Sequence, residues 1–262
     1  MNPAIIIPAR WGSTRFPGKP LAMIAGKTML ARVVDVARAA AADFPGTSVY
    51  VTTDDERIAS HAREIGAECI LTSPDCPTGS DRALAAAKQL PTPPDFILNL
   101  QGDAPFTPVS ALQALLDEYL HNPEAQVITA VHRLSWTALD KLRENKKTTP
   151  FSGTTAIIAG DGRALWFSKN IIPALRKESD LRGQSETSPI HQHFGLYGYR
   201  LAALEKFCAL PQSPYEVMEG LEQLRFLENN ISIHTVRIEA DGTIHGGIDT
   251  PEDLARAEAL LK

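Results

Sequence analysis

The sequence predicts a doubly wound, mostly parallel α/β sheet of the nucleotide-binding kind. Short apolar runs rich in Ile, Val and Leu recur through the first half of the chain, and amphipathic helical patterns separate them. Each run is bounded by Gly, Pro or Asp. Such alternation implies parallel strands joined by helical crossovers, and sheets of this kind bind ligands at the carboxyl ends of their strands.

Taken in order, Ala4–Ile7, Ser48–Thr52, Cys69–Leu71, Phe96–Leu100 and Gln126–Val131 are the expected buried strands. Thr28 is expected to cap a helix with Met29, Leu30, Val33 and Val36 on one face. Further helices are expected at about Asp55–Ile65 and Asp81–Leu90, and another from Thr107 with Pro108 in the first helical position, where a missing N–H costs nothing. The character changes between about 133 and 200. Lys141–Lys147 is polar and basic, Asp161-Gly162 suits a hairpin turn between Thr154–Ala159 and Ala164–Ser168, and Arg176–Ser188 is polar. A strand-rich inserted subdomain with an exposed loop, within one domain spanning 1–262, is the expectation. Helices near Leu201–Ala209 and Tyr215–Leu227, a strand at Ile231–Ile238 and a helix capped at Thr250 complete the chain.

The 262 residues carry 26 Lys and Arg against 31 Asp and Glu, a net charge of −5. Nucleic acid is therefore not an expected partner, since non-specific binding needs an excess of cations. No apolar run approaches the roughly 18 residues needed to cross a bilayer, so no membrane is expected, and no signal-peptide pattern opens the chain. Cys69, Cys76 and Cys208 form no C-x-x-C pair, which suggests free thiols and a cytoplasmic location.

The loop after the first strand reads Pro8-Ala9-Arg10-Trp11-Gly12-Ser13-Thr14-Arg15-Phe16-Pro17-Gly18-Lys19-Pro20. Small residues admit backbone N–H groups to phosphate oxygens, and Arg and Lys neutralise their charge. It is not a Walker A loop, because five residues separate Gly12 from Gly18 and Pro20 follows Lys19. The bland alternative is a solvated basic loop. Thr52-Thr53-Asp54-Asp55 could be a nucleotide-facing turn or only a helix cap. Thr78-Gly79-Ser80-Asp81-Arg82 could read a base edge, or Ser80 could cap a helix. Asn99-Leu100-Gln101-Gly102-Asp103 ends a buried strand, with Gly102 allowing a sharp turn and Asp103 facing the crevice.

The string P-A-R-x-G-S-T-R-x-P-G-K-P-L resembles the signature of the sugar-acid cytidylyltransferases, most closely the 3-deoxy-manno-octulosonate (Kdo) cytidylyltransferase family, whose sheet is of the nucleotide-diphospho-sugar transferase type. The resemblance continues through Asp54, through Thr78–Arg82, through Gln101–Asp103, and through His191–Arg200, Ser213–Arg225 and Gly246–Leu254. It implies transfer of CMP from CTP to the anomeric hydroxyl of the sugar acid, with release of pyrophosphate, in lipopolysaccharide biosynthesis. Arg10, Ser13, Arg15 and Lys19 would then hold the triphosphate, and Asp54, Gly79, Ser80 and Arg82 would lie about the base. Asp103 and Asp249 would hold Mg²⁺, and with Lys19 they form the implied catalytic set. Two carboxylates about 4 Å apart repel by roughly 4 kcal/mol at an effective dielectric of 20, a conflict that a cation removes. Gln101, Lys169, His193, Tyr197 and Glu222 would bind the sugar acid, a 2-keto-3-deoxy acid. From spacing alone, His193 could instead be a satisfied core histidine, and Glu216, Glu219 and Glu222 a solvated helix face. A homodimer with the 133–200 region at its interface is also implied.

Four positions depart from the family pattern: Ala104, Thr155, Lys169 and Gln192. Arg and Lys are not interchangeable where a carboxylate is held bidentately, so the acceptor could be Kdo, its 8-amino relative or another ulosonic acid. A glycosyltransferase of similar architecture and a non-catalytic CTP-binding module are the further alternatives.

Overall fold

The computed structural model describes residues 1–12, 16–239, 247–248 and 250–260, the side chains of Ala257 and Leu260 excepted. β1 (Pro3–Pro8) leads through a 3-10 turn at Lys19–Leu21 to a small hairpin, β2 (Met23–Ile24) and β3 (Lys27–Thr28). Then follow α1 (Met29–Ala41), β4 (Ser48–Thr53), α2 (Glu56–Glu64), β5 (Glu68–Leu71), α3 (Gly79–Ala87), β6 (Phe96–Asn99), α4 (Val109–His121) and β7 (Val127–Ser135). Next come α5 (Trp136–Thr148), β8 (Thr155–Ile158), β9 (Ala164–Ser168), α6 (Glu178–Gln184) and the long β10 (Thr187–Arg200). α7 (Leu201–Ala209), α8 (Pro214–Glu219), α9 (Gln223–Glu228), β11 (Ile233–Arg237) and α10 (Pro251–Leu260) end it.

Among the described residues the main sheet runs β11-β7-β10-β6-β1-β4-β5, with β8 on β10 and β9 on β8. β1, β4, β5 and β6 are mutually parallel, β11 is parallel to β7, and only β10 in this path runs against its neighbours. The expected mostly parallel sheet is therefore present. The chain steps outward from β1 to β4 and β5, then returns to β6 on the other side of β1. That reversal parts the loops after β1 and β6 and opens a crevice at their carboxyl ends. All six residues of β1 are buried, as a central strand covered on both faces requires. Helices α1 and α4 cover one face, with Leu30, Val33, Leu112 and Leu115 against Ile5 and Leu98. Helices α3 and α7 cover the other, with Ala83, Leu204 and Phe207 against Ile6 and Ile97. No helix among the described residues is long and apolar enough to cross a membrane.

Several local expectations are corrected. Pro108 is the N-cap of α4, with extended ψ of 132°, so the helix proper starts at Val109. The basic stretch Lys141–Lys147 is the second half of α5, whose Leu139 and Leu142 face a small core with Leu134 and Ile190. Arg176–Ser188 contains α6 and the start of β10. The helix expected over Tyr215–Leu227 is broken into α8 and α9 at Gly220, which caps α8 in the left-handed region at φ 62°. The caps at Thr28 and Thr250 form as expected, each hydroxyl accepting a backbone N–H at 3.2 Å.

β10 has two features that matter for the site. A Cβ on Gly198 would fall 2.1 Å from Phe96 Cζ, so only glycine lets the Phe96 ring lie against the strand, where it stacks on Tyr119 at 4.3 Å. A bulge between Phe194 and Tyr197 frees backbone carbonyls, and the buried Thr129 hydroxyl serves them, donating to Leu196 O at 2.8 Å. Because that proton is committed, His193 Nε2, 3.0 Å from the same oxygen, is the donor in this pair. Burial first, then Lys169 and His132, push the His193 ring down to about 3, so it stays neutral.

Gly198→Ala is expected to cost about 3 kcal/mol or more by overpacking, read as a lowered denaturation midpoint. For His193 the unfolded chain takes up a proton near 6.5 and the folded chain only near 3. Its contribution is therefore intact above 6.5 and is lost as pH falls through that window. Denaturation from pH 7.5 to pH 5 should show wild type losing more stability than His193→Gln, by at most about 1.4 kcal/mol per pH unit.

Candidate active site

The parted loops after β1 and β6 enclose a cavity of about 350 Å³ lined by Arg10, Lys19, Gly79, Arg82, Gln101 and Asp103, among others. Six of the residues expected about the nucleotide, the sugar acid or the metal thus meet in one place. Gly102 donates its N–H to Pro8 O at 3.2 Å, and a Cβ there would lie 2.8 Å from that oxygen. The sharp turn expected there is present, closed by Ala104 N donating to Gln101 O at 3.1 Å, and the glycine also permits close approach of the two loops. Lys19 is buried, with Nζ 2.6 Å from Asp103 Oδ2, so an ion pair spans the crevice. Gly18 sits in the left-handed region at φ 70° with the Trp11 ring against it. On Trp11 lies the Arg57 guanidinium, 3.4 Å from the ring centroid and held by both Asp55 carboxylate oxygens.

The opposite wall begins at α3. Thr78 and Asp81 form its capping box, so Ser80 is not the cap. Gly79 presses on Gln101, whose Oε1 would be 3.0 Å from an added Cβ. Ser80 is buried and donates to Glu222 Oε2 at 3.4 Å. Arg82, 4% exposed, reaches Thr72 Oγ1 at 2.8 Å and Asp54 Oδ1 at 3.3 Å. The two readings of the Thr52–Asp55 turn are thereby divided between neighbours, since Asp55 caps α2 while Asp54 pairs with an arginine of the cavity wall. Cys76 and Thr72, not anticipated, also stand here; a polar residue just past the end of β5 was the available signal for Thr72.

Lys169, His193, Tyr197 and Glu222 do not line this cavity, and His193 borders a separate hollow with His132, Thr154 and Gln192. The Tyr197 ring lies 5.3 Å from His193 and stacks on Tyr199 at 5.8 Å, and its hydroxyl is buried without a hydrogen-bond partner. Burial raises the Tyr197 phenol and the Glu222 carboxyl and lowers the Lys169 ammonium, so each is biased toward its neutral form. His193 is both a satisfied histidine and a member of this cluster. The three glutamates do not form one solvated face: Glu216 is buried against Arg225 and Glu219 accepts from Ser168 Oγ at 2.8 Å, while Glu222 is exposed and meets Ser80 only at 3.4 Å.

Ser13, Arg15 and Asp249 lie outside the described residues. Among those described, no three His, Cys, Asp or Glu side chains surround one point that could hold a metal. Asp103 instead meets Gly247 and Ile248, two residues that closely precede Asp249 in the chain. Ile248 N donates to Asp103 O at 2.8 Å, and a Cβ on Gly247 would lie 3.2 Å from Asp103 Oδ1. Ile248 packs with Ile24 and Met29, joined by Phe16, Phe106 and Leu254. A hard cation fits such a carboxylate if phosphate oxygens and water complete its shell, which is how magnesium is commonly held.

A family model described as Cytidylyltransferase matches residues 4–233. The 3-deoxy-manno-octulosonate cytidylyltransferase of Maricaulis maris is 42% identical over 262 residues, covering 100% of this chain and 97% of that one. The protein of the same name from Bacteroides thetaiotaomicron is 40% identical over 260 residues, covering 98% and 97%. The solved structure of CMP:2-keto-3-deoxy-manno-octonic acid synthetase complexed with CTP superposes with a TM-score of 0.84 at 32% identity, over 100% of this chain and 98% of that one. The match spans the sheet and the cavity wall alike, and the chain belongs to the cytidylyltransferase family.

Proposed function

We propose that the protein transfers CMP from CTP to the anomeric hydroxyl of 3-deoxy-manno-octulosonate, releasing pyrophosphate. The observation that carries the reading is the Lys19–Asp103 pair across the crevice between β1 and β6, facing the Gly79–Arg82 wall. A triphosphate needs cations at its oxygens, and Arg10 and Lys19 supply them, with Ser13 and Arg15 assisting. Gly79, Ser80, Arg82 and Asp54 are assigned to the base and its ribose side. Gln101, Lys169, His193, Tyr197 and Glu222 are assigned to the sugar acid, the unpartnered Tyr197 hydroxyl and the neutral His193 ring suiting hydroxyl groups. The sugar oxygen attacks the α-phosphorus in line and the α–β phosphoanhydride bond breaks, so positioning and charge neutralisation carry the catalysis. Mg²⁺ held by Asp103 and Asp249 would polarise the α-phosphate and template the displacement. Lys19 serves twice, holding the Asp103 carboxylate in the crevice and offering an ammonium to the leaving pyrophosphate.

Lys169 stands where the family pattern has arginine, so the acceptor is best established with a panel. Purified protein with CTP and Mg²⁺ is expected to release pyrophosphate with 3-deoxy-manno-octulosonate faster than with its 8-amino analogue or sialic-type acids. A glycosyltransferase or a non-catalytic CTP-binding module would release none. Chelation should stop release reversibly, and Asp103→Asn should lower kcat about a hundredfold or more while leaving the melting transition cooperative. Turnover by that variant at the wild-type rate would remove the metal assignment.

The same reading includes a cytoplasmic homodimer with the 133–200 insertion at its interface, supplying an activated sugar for lipopolysaccharide assembly. Light scattering is expected to give twice the 28.5 kDa chain mass.

A further inference from the structure

Lys146, in the last turn of α5, has an ammonium that is among the most heavily engaged groups of the described residues. Nζ donates to Lys169 O at 2.6 Å, Gly153 O at 3.1 Å, Pro150 O at 3.3 Å, and also to Ser152 O. An ammonium has three protons, so these four carbonyls saturate it and leave nothing for a ligand. What it does is join two loops. One precedes β8 and carries Thr154, whose carbonyl receives the His193 N–H at 2.9 Å. The other follows β9 and carries Lys169. From the opposite side, Glu219 accepts the Lys169 N–H at 2.8 Å and the Ser168 hydroxyl at 2.8 Å. The Lys169 backbone is thus gripped at its carbonyl by a cation and at its N–H by an anion. Thr155 hydrogen-bonds the next residue, its hydroxyl donating to Asn170 O at 2.7 Å.

We propose that Lys146 is a positioning residue for the acceptor half of the reaction, fixing the Lys169 backbone and the 150–153 loop so that Lys169 and His193 present one rigid surface to the sugar acid. The inference rests on the assignment of Lys169 to the sugar acid. A flexible lysine stem anchored at both ends of its peptide loses less freedom when its ammonium meets an anion, so loosening the anchor should weaken acceptor binding and spare the nucleotide.

The test is steady-state kinetics on Lys146→Met, Lys169→Ala and the double variant, with CTP, Mg²⁺ and 3-deoxy-manno-octulosonate. Lys146→Met is expected to raise KM for the sugar acid about tenfold and leave KM for CTP within about twofold. Added to Lys169→Ala it should raise the sugar-acid KM little further, because it acts through Lys169. Equal losses for both substrates, or a full additional loss in the double variant, would show a merely structural lysine and overturn the proposal. An unchanged sugar-acid KM in Lys169→Ala would overturn the acid-site assignment itself, a separate failure. Should Lys146→Met not fold, Lys146→Gln, whose amide can still reach two carbonyls, is expected to give a smaller rise with the same selectivity.

Discussion

The hydrogen bond from Gly102 N to Pro8 O is the contact on which the site depends. It joins, backbone to backbone, the two loops that the strand order drives apart. A side chain at 102 would collide with the Pro8 carbonyl, so the absence of a Cβ sets the width of the crevice. Three of the charged groups are hung from that point: Arg10 and Lys19 follow Pro8, and Asp103 follows Gly102. The Lys19–Asp103 ion pair is partly buried, and burying either charge alone would cost several kcal/mol; the pair persists because the two loops deliver its members together.

A second constraint draws the C-terminal part of the chain to the same place. Ile248 bonds the Asp103 backbone and packs under it with Ile24, Met29 and Phe106, residues from three different parts of the chain. An acid that ends a strand is thereby braced by apolar packing on one side and faces an ammonium on the other. Trp11 does the equivalent for the basic loop, held between Gly18 and the Arg57 guanidinium, which Asp55 grips in turn.

Much of this was legible in the sequence, for physical reasons that differ by element. β1, β4 and β6 could be read because central parallel strands must be apolar on both faces, and such runs are short and bounded by turn residues. The caps at Thr28 and Thr250 could be read because their chemistry is local. α5 could not: its Lys141–Lys147 half shows a solvent-facing surface, and the few apolar residues that make it amphipathic, Leu139 and Leu142, serve a separate small core. The break at Gly220 was hidden because a glycine inside a good helical pattern does not announce whether it will adopt positive φ. In the site, the cavity lining was legible through contiguous strings that include Arg10, Lys19, Gly79, Arg82, Gln101 and Asp103. Lys146 was not, since its partners are backbone carbonyls that carry no sequence identity, nor was Glu219, whose partners Ser168 and Lys169 lie about 50 positions away in the chain.

The reversed strand has a mechanical meaning for the cycle. Residues Tyr197–Tyr199 of β10 are hydrogen-bonded to β6 along one edge and to β7 along the other. β6 leads into the loop of Gln101 and Asp103, while β10 bears His193 and Tyr197, two of the five residues assigned to the acceptor. These residues therefore share a common girder. The spacing between the β6 loop and Tyr197 is thereby set by directly paired strands and not by a connecting segment.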